Sequence, residues 1–142
     1  MFIDACNSGA AYASVSGAKS VTDDGLAKAI NQINSTISGM STFTSCRKRE
    51  KSYEDEKWQN GAFTEAILEA LKNQSFADKK GKEYRADIDK DGIITIGELK
   101  SFLANRVPYL VETQKKDAPT KQVPLMTNNE LGDQFPLFVL ER

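Results

Sequence analysis

The residues with the clearest chemical potential lie at the start of the chain, in the segment "DACNSG", residues 4–9. Cys6 follows the apolar run "MFI" and precedes a loop of small residues. A thiol attacks a carbonyl group only as the thiolate, so a catalytic cysteine needs a base or a positively charged environment. The 142 residues contain no histidine. If Cys6 is a nucleophile, the usual base must therefore come from another segment of polypeptide.

Cys46 is the second thiol, and it also follows a predicted strand, residues 41–46. In open α/β sheets, reactive groups collect at the carboxyl ends of strands, and both cysteines fit that position. Free cysteines are also among the most frequently buried residues, where they serve as small apolar side chains. Position alone leaves a reactive and a structural role open for each thiol.

A second candidate for chemistry is the acidic loop "DIDKDGIITIGE", residues 87–98. Acids occupy positions 1, 3, 5 and 12 and glycine occupies position 6, which is the pattern of an EF-hand calcium loop. Hard oxygen ligands at this spacing can surround one calcium ion. The candidate ligands are Asp87, Asp89, Asp91, Glu98 and the backbone carbonyl of Ile93.

The same loop has a plainer interpretation. Thr95 and Glu98 form a capping-box pattern that opens a helix, so the acids before them could simply make an Asp/Gly turn. The polar segment "ADKKGKEYRA", residues 77–86, also interrupts the helix that usually enters a calcium loop. Both a calcium site and a turn before a capped helix stay open.

The elements that position Cys6 and Cys46 are predicted as strand, helix and strand. Residues 1–5 and 41–46 read as strands, and a helix that opens at Thr22 lies between them. This order implies a right-handed crossover and a parallel pair of strands. The apolar stripe of the helix comprises Leu26, Ile30, Ile33 and Ile37.

Two more helices and a closing strand are predicted in the second half of the chain. One helix follows Asn60-Gly61, and the other opens at Thr95 and is expected to end or kink at Pro108. Their apolar faces comprise Phe63, Ile67, Ala70 and Leu71, and Leu99, Phe102, Leu103 and Val107, respectively. Residues 112–134 are predicted to form a long loop, and "FPLFVL", residues 135–140, a last strand at a sheet edge.

The composition, with 39% apolar and 27% charged residues, is typical of a globular chain, and 142 residues suit a single domain. The net charge of −1, without large blocks of one sign, gives no case for nucleic acid or a membrane surface as partner. The apolar runs are too short for a membrane span. Two cysteines do not make a disulfide framework, so a reducing, cytoplasmic location is predicted.

The chain resembles the caspase-like cysteine peptidases. "DACNSG" is similar to the Asp-x-Cys-x-Ser-Gly nucleophile motif of metacaspases and related bacterial proteins, and animal caspases carry a Gln-Ala-Cys form. Three further segments resemble family members in the same order, so the similarity covers nearly the whole chain. They are "TSCRKREKSYEDEKWQNGAFTEAILEAL", "ADIDKDGIITIGELKSFLANRVPYL" and "DQFPLFVL".

The resemblance implies an α/β fold, the caspase-like three-layer sandwich with a mostly parallel sheet, of which residues 1–142 are the C-terminal part. Cys6 would be the nucleophile of a cysteine endopeptidase that acts on protein or peptide substrates without a required cofactor. The family's histidine ends the strand before the cysteine strand, so an N-terminal half of the same domain is the expected partner. Two or three strands are also few for a parallel sheet. We expect the isolated chain to be inactive.

Asp4 corresponds to the family residue that lines the primary specificity pocket, and Glu54 and Asp55 fall near the region where caspases hold a substrate aspartate. Carboxylates there would attract Arg or Lys at P1 and repel Asp. Alternatively, Asp4 caps the following loop and the other two acids are solvated. A further alternative is that residues 47–49, "RKR", serve a pocket for an acidic substrate. The alternatives for the whole chain are a non-catalytic caspase-like scaffold and a calcium-binding module.

Overall fold

The described residues of the chain, taken from a computed structural model, are 2–4, 39, 41–46, 52–114, 121–129 and 131–140. They form an α+β arrangement of helices and short strands. The helices are α1 (Ala62–Leu71) and α2 (Ile96–Gln114). The strands are β1 (Phe2–Ile3), β2 (Ser41–Thr44), β3 (Glu54–Asp55), β4 (Asn60–Gly61), β5 (Phe76–Ala77), β6 (Glu83–Tyr84), β7 (Ile93–Thr95), β8 (Leu125–Asn129) and β9 (Pro136–Val139).

The strand that precedes Asp4 lies in a small sheet of order β1-β2-β8. β1 and β2 are parallel, with Phe2 opposite Phe43, which confirms the predicted parallel pair. All four residues of β2 are buried, because β1 and β8 flank it on both sides. The Phe2 and Phe43 rings stack with centroids 5.4 Å apart. The helix predicted to open at Thr22 lies outside the described residues.

The remaining strand pairs of the described residues are antiparallel: β2 with β8, β3 with β4, β5 with β6, and β7 with β9. These pairs do not match the expected mostly parallel sheet. β8 also falls inside residues 112–134, so the prediction of a continuous loop there is wrong. Its segment "LMTNN" lacks an alternating pattern and carries two asparagines, which strands disfavour, so β8 depends on pairing with β2 rather than on its own propensity.

α1 begins directly after Gly61, whose backbone is extended at φ −71° and ψ 150°. Its buried residues are Ala62, Phe63, Ala66 and Ala70, so the packed face consists mostly of small side chains. The predicted face is correct for Phe63 and Ala70, whereas Leu71 is exposed. Ile67 is partly buried and packs against the core.

α2 begins with the predicted capping box, in which the Thr95 hydroxyl accepts from Glu98 N–H and the Glu98 carboxylate accepts from Thr95 N–H. The whole predicted stripe is buried. The helix continues through Pro108 to Gln114, so of the two predicted outcomes the ending at Pro108 is wrong, and a kink there stays a prediction. A proline in a helix costs about 3 kcal/mol, but Leu110 and Val111, each only 3% exposed, together contribute about 3–6 kcal/mol by their burial.

The closing segment, residues 131–140, packs against the beginning of α2. β9 pairs with β7, and Ile96 and Gly97 donate their N–H groups to the carbonyls of Phe135 and Asp133 at 2.9 and 2.8 Å. A Cβ atom at Gly97 would lie 3.0 Å from Asp133 Cβ, so glycine permits this close approach. The predicted closing strand is thus confirmed as β9, and it starts at Pro136.

Candidate functional site: the Asp4 region and the acidic loop

Cys6, the predicted nucleophile, lies outside the described residues, as do residues 47–49. Cys46 is described: it is half-buried just after β2, and the Ser45 hydroxyl lies 3.9 Å from its Sγ. A reactive and a structural role therefore stay open for each thiol, and the role of Cys6 as nucleophile stays a prediction.

Asp4, two residues before Cys6, joins three parts of the chain that are distant in sequence. Its Oδ1 accepts a hydrogen bond from the Ser52 hydroxyl at 3.0 Å, and its Oδ2 accepts one from the Thr64 hydroxyl at 2.5 Å. Thr64 belongs to the first turn of α1, where the helix dipole favours a negative charge. Asp4 therefore contacts the start of α1, and the loop that it would cap in the alternative interpretation lies outside the described residues.

Gly61 is the residue that lets Asp4 approach the helix. A Cβ atom at this position would lie 2.7 Å from Asp4 Oδ2, which is too close for any real side chain. Among the described residues, no side chain forms a capping hydrogen bond at Gly61, so the carboxylate of Asp4 complements the positive helix end together with Glu65 in the first turn. The glycine at position 61 thus has a steric reason, the close approach of Asp4.

Glu54 and Asp55 lie on the hairpin whose other strand ends at Gly61, since Glu54 pairs with Gly61 and Asp55 with Asn60. Glu54 is exposed. The Asp55 carboxylate accepts from Lys57 N–H at 3.0 Å, which is a local turn contact.

The two acids line a shallow depression of about 330 Å³ together with Glu56, Gln59 and Asn60. The structure therefore places Glu54 and Asp55 on one hairpin and connects Asp4 to Ser52 just before it, without joining Asp4 to that depression.

Gln122 is a structurally important residue that sequence reasoning missed. It is fully buried. Its Oε1 accepts from Tyr53 N–H at 2.9 Å, and its Nε2 donates to the Ser45 carbonyl at 3.0 Å. A buried amide with satisfied donors and acceptors fixes the segment before β3 against the end of β2. No local pattern signals this role, because its partners are 69 and 77 residues away.

The acidic loop brings its first three acids together. One carboxylate oxygen each of Asp87, Asp89 and Asp91 lies within 4.8 Å of the others. Each carboxylate also accepts from a backbone N–H of the loop: Asp87 from Gly92, Asp89 from Asp91, and Asp91 from Ile93. The loop is thus folded around its own side chains. Lys90 and Gly92 adopt φ of +63° and +88°, the left-handed conformation that sharp turning requires.

Glu98, at position 12 of the loop, is occupied by hydrogen bonds. Its Oε2 accepts from Thr95 N–H and the Thr95 hydroxyl, each at 2.9 Å, and its Oε1 accepts from Ile88 N–H at 2.9 Å. Burial by itself would raise the pKa of Glu98, but these hydrogen bonds outweigh burial and hold the pKa below its usual value of 4.5. Glu98 therefore ties the beginning of the loop to the start of α2 as a carboxylate.

Asp87 differs from the other two acids in its burial. The residue is 4% exposed, while Asp89 and Asp91 are exposed. Its Oδ2 accepts from Gly92 N–H at 3.2 Å, but its Oδ1 is buried and finds no donor among the described residues. A buried carboxylate oxygen without a partner is costly, so this atom calls for a ligand.

Comparisons of the chain with family models, curated proteins and solved structures found no match. Within the part of the chain that the structure describes, no helix combines the length and the apolar character that crossing a membrane requires.

Proposed function

We propose that this chain is the nucleophile-bearing part of a caspase-like cysteine endopeptidase with Cys6 as the nucleophile. The observation that carries the proposal is the segment Asp4–Gly9, which follows a strand with a parallel neighbour. The finer fold that belongs to this proposal is the three-layer sandwich with a mostly parallel sheet, to which β1 and β2 would contribute adjacent strands.

The contacts of Asp4 support the proposal at the pocket. The resemblance assigns Asp4 and the segment around Glu54 to substrate binding, and Asp4 accepts from Ser52, two residues before Glu54. This contact brings Asp4 and the segment before Glu54, which are 48 positions apart in sequence, into one region, and this proximity supports the proposal. Carboxylates in this region favour Arg or Lys at P1, since a substrate carboxylate would be repelled.

The proposed reaction is acyl transfer. The Cys6 thiolate attacks the carbonyl carbon of the scissile bond, and backbone N–H groups stabilise the oxyanion. The C–N bond then breaks as the leaving amine takes a proton from the protonated base, and water hydrolyses the thioester. Because the 142 residues contain no histidine, the proposal requires that the base come from a histidine-bearing segment of the same domain outside them.

The test compares Cys6→Ala with Cys46→Ala in the protein that includes the histidine-bearing segment. Hydrolysis of an Arg-P1 peptide should fall to the background rate for Cys6→Ala and stay within about threefold of wild type for Cys46→Ala. Cys46→Ala is the matched control because it removes the other thiol. Loss of activity in Cys46→Ala alone would contradict the proposal and would identify Cys46 as the nucleophile. Absence of hydrolysis in the wild type would favour the non-catalytic scaffold.

A further inference from the structure

We propose that the acidic loop, residues 87–98, binds one calcium ion through Asp87, Asp89 and Asp91, and that the ion stabilises the packing of the closing segment. This site is independent of the proposed peptidase function, because neither Cys6 nor Asp4 contributes to it. Three features of the loop favour this site: the orphan oxygen of Asp87, the convergence of three carboxylates, and the contacts with residues 131–140.

The orphan oxygen is the observation that points to a ligand. Asp87 Oδ1 is buried and has no donor among the described residues, although its twin Oδ2 is bonded to Gly92 N–H. Proteins rarely leave a buried carboxylate oxygen unpaired, because no hydrogen bond or ion then offsets the free-energy cost of removing it from water. A cation beside Oδ1 would satisfy it, and Asp89 and Asp91 each bring a carboxylate oxygen within 4.8 Å of a carboxylate oxygen of Asp87.

The convergence of the three acids is unfavourable without a cation. Their ligand atoms lie within 4.8 Å of one another, and like charges at that separation repel. Hard carboxylate oxygens at this density suit calcium. Each acid keeps a second function as an acceptor for a loop N–H, which arranges the carboxylates before any ion arrives.

The role of Glu98 differs from the sequence-based expectation of a direct ligand. Both of its oxygens are held by donors from Thr95 and Ile88. We therefore assign calcium binding to the three aspartates, and Glu98 to positioning the loop on α2. The backbone carbonyl of Ile93 remains the candidate ligand that follows them in the loop.

The closing segment is attached at both ends of β7, the strand that follows the three aspartates. Leu140 donates its N–H to the Gly92 carbonyl at 2.8 Å, and Ile94 pairs with Phe138. On the other side of β7, Ile96 N–H bonds to the Phe135 carbonyl. An ion that holds Gly92 and Ile93 in place would therefore reduce the opening of β9 from β7.

The direct experiment is calorimetric titration of the 142-residue chain with calcium chloride, together with thermal unfolding. We expect half-saturation on the order of 10⁻⁴ M, as in weak calcium loops, and an increase in Tm of about 5 °C or more at 5 mM calcium. Magnesium at the same concentration should give less than half of this shift, because it dehydrates reluctantly. An absence of binding heat, or equal shifts with both ions, would overturn the proposal.

The variant Asp89→Asn separates binding from folding, because asparagine keeps the oxygen that accepts from Asp91 N–H. Without calcium, Asp89→Asn should raise Tm by about 1–3 °C through relief of repulsion; with 5 mM calcium it should lie below wild type. The matched control is Glu83→Gln, which removes an acid 64% exposed on the neighbouring hairpin. Equal loss of the calcium shift in both variants would contradict the assignment, and so would an Asp89→Asn variant that keeps the full shift.

Hydrogen exchange tests the link to the closing segment. Calcium should slow exchange of the Leu140 amide at least fivefold in wild type and in Glu83→Gln, but not in Asp89→Asn. The Lys82 region of the hairpin serves as an internal reference that should not change. Unchanged Leu140 exchange in a protein that binds calcium would refute the stabilisation of the closing segment.

Discussion

At the scale of single residues, Asp4 has two separable roles. As a hydrogen-bond acceptor it holds Ser52 and Thr64, and as a charge it complements the start of α1 and, in the proposed enzyme, a basic P1 side chain. Asparagine keeps an acceptor and removes the charge, whereas alanine removes both. The two substitutions therefore distinguish a structural residue from a specificity residue.

We expect Asp4→Asn to keep the wild-type Tm within about 2 °C and to lose activity toward an Arg-P1 peptide in the protein that includes the histidine-bearing segment. The loss should be about 30-fold, since truncating one member of a charge pair costs about 2 kcal/mol at the low end and each 1.4 kcal/mol is tenfold. This magnitude belongs to a buried pair, so it requires that the bound peptide cover Asp4, which is exposed in the structure.

The readout is the ratio of kcat/KM for a peptide pair that differs only at P1, Arg against Asp. The wild type should prefer Arg, and Asp4→Asn should shrink the ratio. Faster cleavage of the Asp peptide by the wild type would contradict the pocket assignment and favour residues 47–49. An unchanged ratio in Asp4→Asn with a lowered Tm would make Asp4 purely structural.

Arg106 and Glu69 form the most enclosed ion pair among the described residues, with side chains 14% and 13% exposed. Arg106 Nε and Nη2 donate to the two Glu69 oxygens at 2.5 and 2.6 Å, so the pair is bidentate. The guanidinium also lies 4.6 Å from the centre of the Phe76 ring. Glu69 belongs to α1 and Arg106 to α2, so the pair fixes one helix on the other.

Glu69→Ala should lower the free energy of unfolding by about 3 kcal/mol, because it leaves a nearly buried guanidinium without a partner. Arg106→Lys should also have a lower free energy of unfolding than wild type, since an ammonium group cannot reproduce the planar bidentate contact or the stacking on Phe76. Urea unfolding of the two variants and of Glu69→Leu/Arg106→Met measures this. A double variant less stable than Glu69→Ala would contradict the account, since apolar replacement of both partners is close to neutral.

At the scale of elements, the β5–β6 hairpin carries the chain from α1 into the acidic loop. Phe76 stacks on Tyr84 at 5.1 Å and meets Phe102 of α2 edge-on at 5.8 Å. The Asp78 carboxylate closes the turn by accepting from Lys80 and Lys82 N–H at 2.8 and 2.9 Å. The hairpin thus takes the place of the entering helix that a calcium loop usually has.

Asp78 gives a pH-dependent prediction for this hairpin. The Lys82 N–H bond has the largest effect and lowers the pKa of Asp78 below its usual value of 3.8; burial opposes it, and Lys80 N–H and the Tyr84 hydroxyl add to the lowering. A depressed pKa means that the carboxylate stabilises the fold above pH 3.8 and that this contribution disappears as the pH falls through the folded-state pKa.

The Tm of the wild type should therefore exceed that of Asp78→Asn at pH 6, and the difference should shrink by pH 3. Thermal unfolding of both proteins across this range measures the difference. Glu83→Gln is a suitable control, since its difference from wild type should not follow the same pH course. A difference that grows toward pH 3 would have the wrong sign for this carboxylate.

Element by element, the sequence predicted what local patterns encode. The capping box at Thr95 and the apolar stripe of α2 depend on residues within one or two turns, and both are confirmed. The helix does not end at Pro108, one of the two predicted outcomes, because the core beyond it, at Leu110 and Val111, outweighs a local helix-breaking preference. β8 was missed for the opposite reason, since a weak strand former is held by its neighbour β2.

At the scale of the whole molecule, the candidate sites also divide into those that a local sequence pattern predicts and those that depend on long-range contacts. The acidic loop was predicted from twelve consecutive residues because its carboxylates are neighbours in sequence. The partners of Asp4 and Gln122 could not be predicted, because they lie 48 to 77 residues away and depend on how the small sheets and the helices pack. Local chemistry is therefore readable in this chain, whereas assembly of a pocket requires the fold.

The central claim for the whole molecule is that Cys6 is an activated nucleophile, and covalent capture tests it most directly. A peptidyl ketone with arginine at P1 and a leaving group beside the carbonyl alkylates a catalytic thiol that its pocket recognises. In the protein that includes the histidine-bearing segment, we expect stoichiometric modification of Cys6, identified by mass spectrometry of the tryptic peptides, with Cys46 unmodified. Modification of Cys46 instead, or of both thiols at equal rates, would contradict the proposed function.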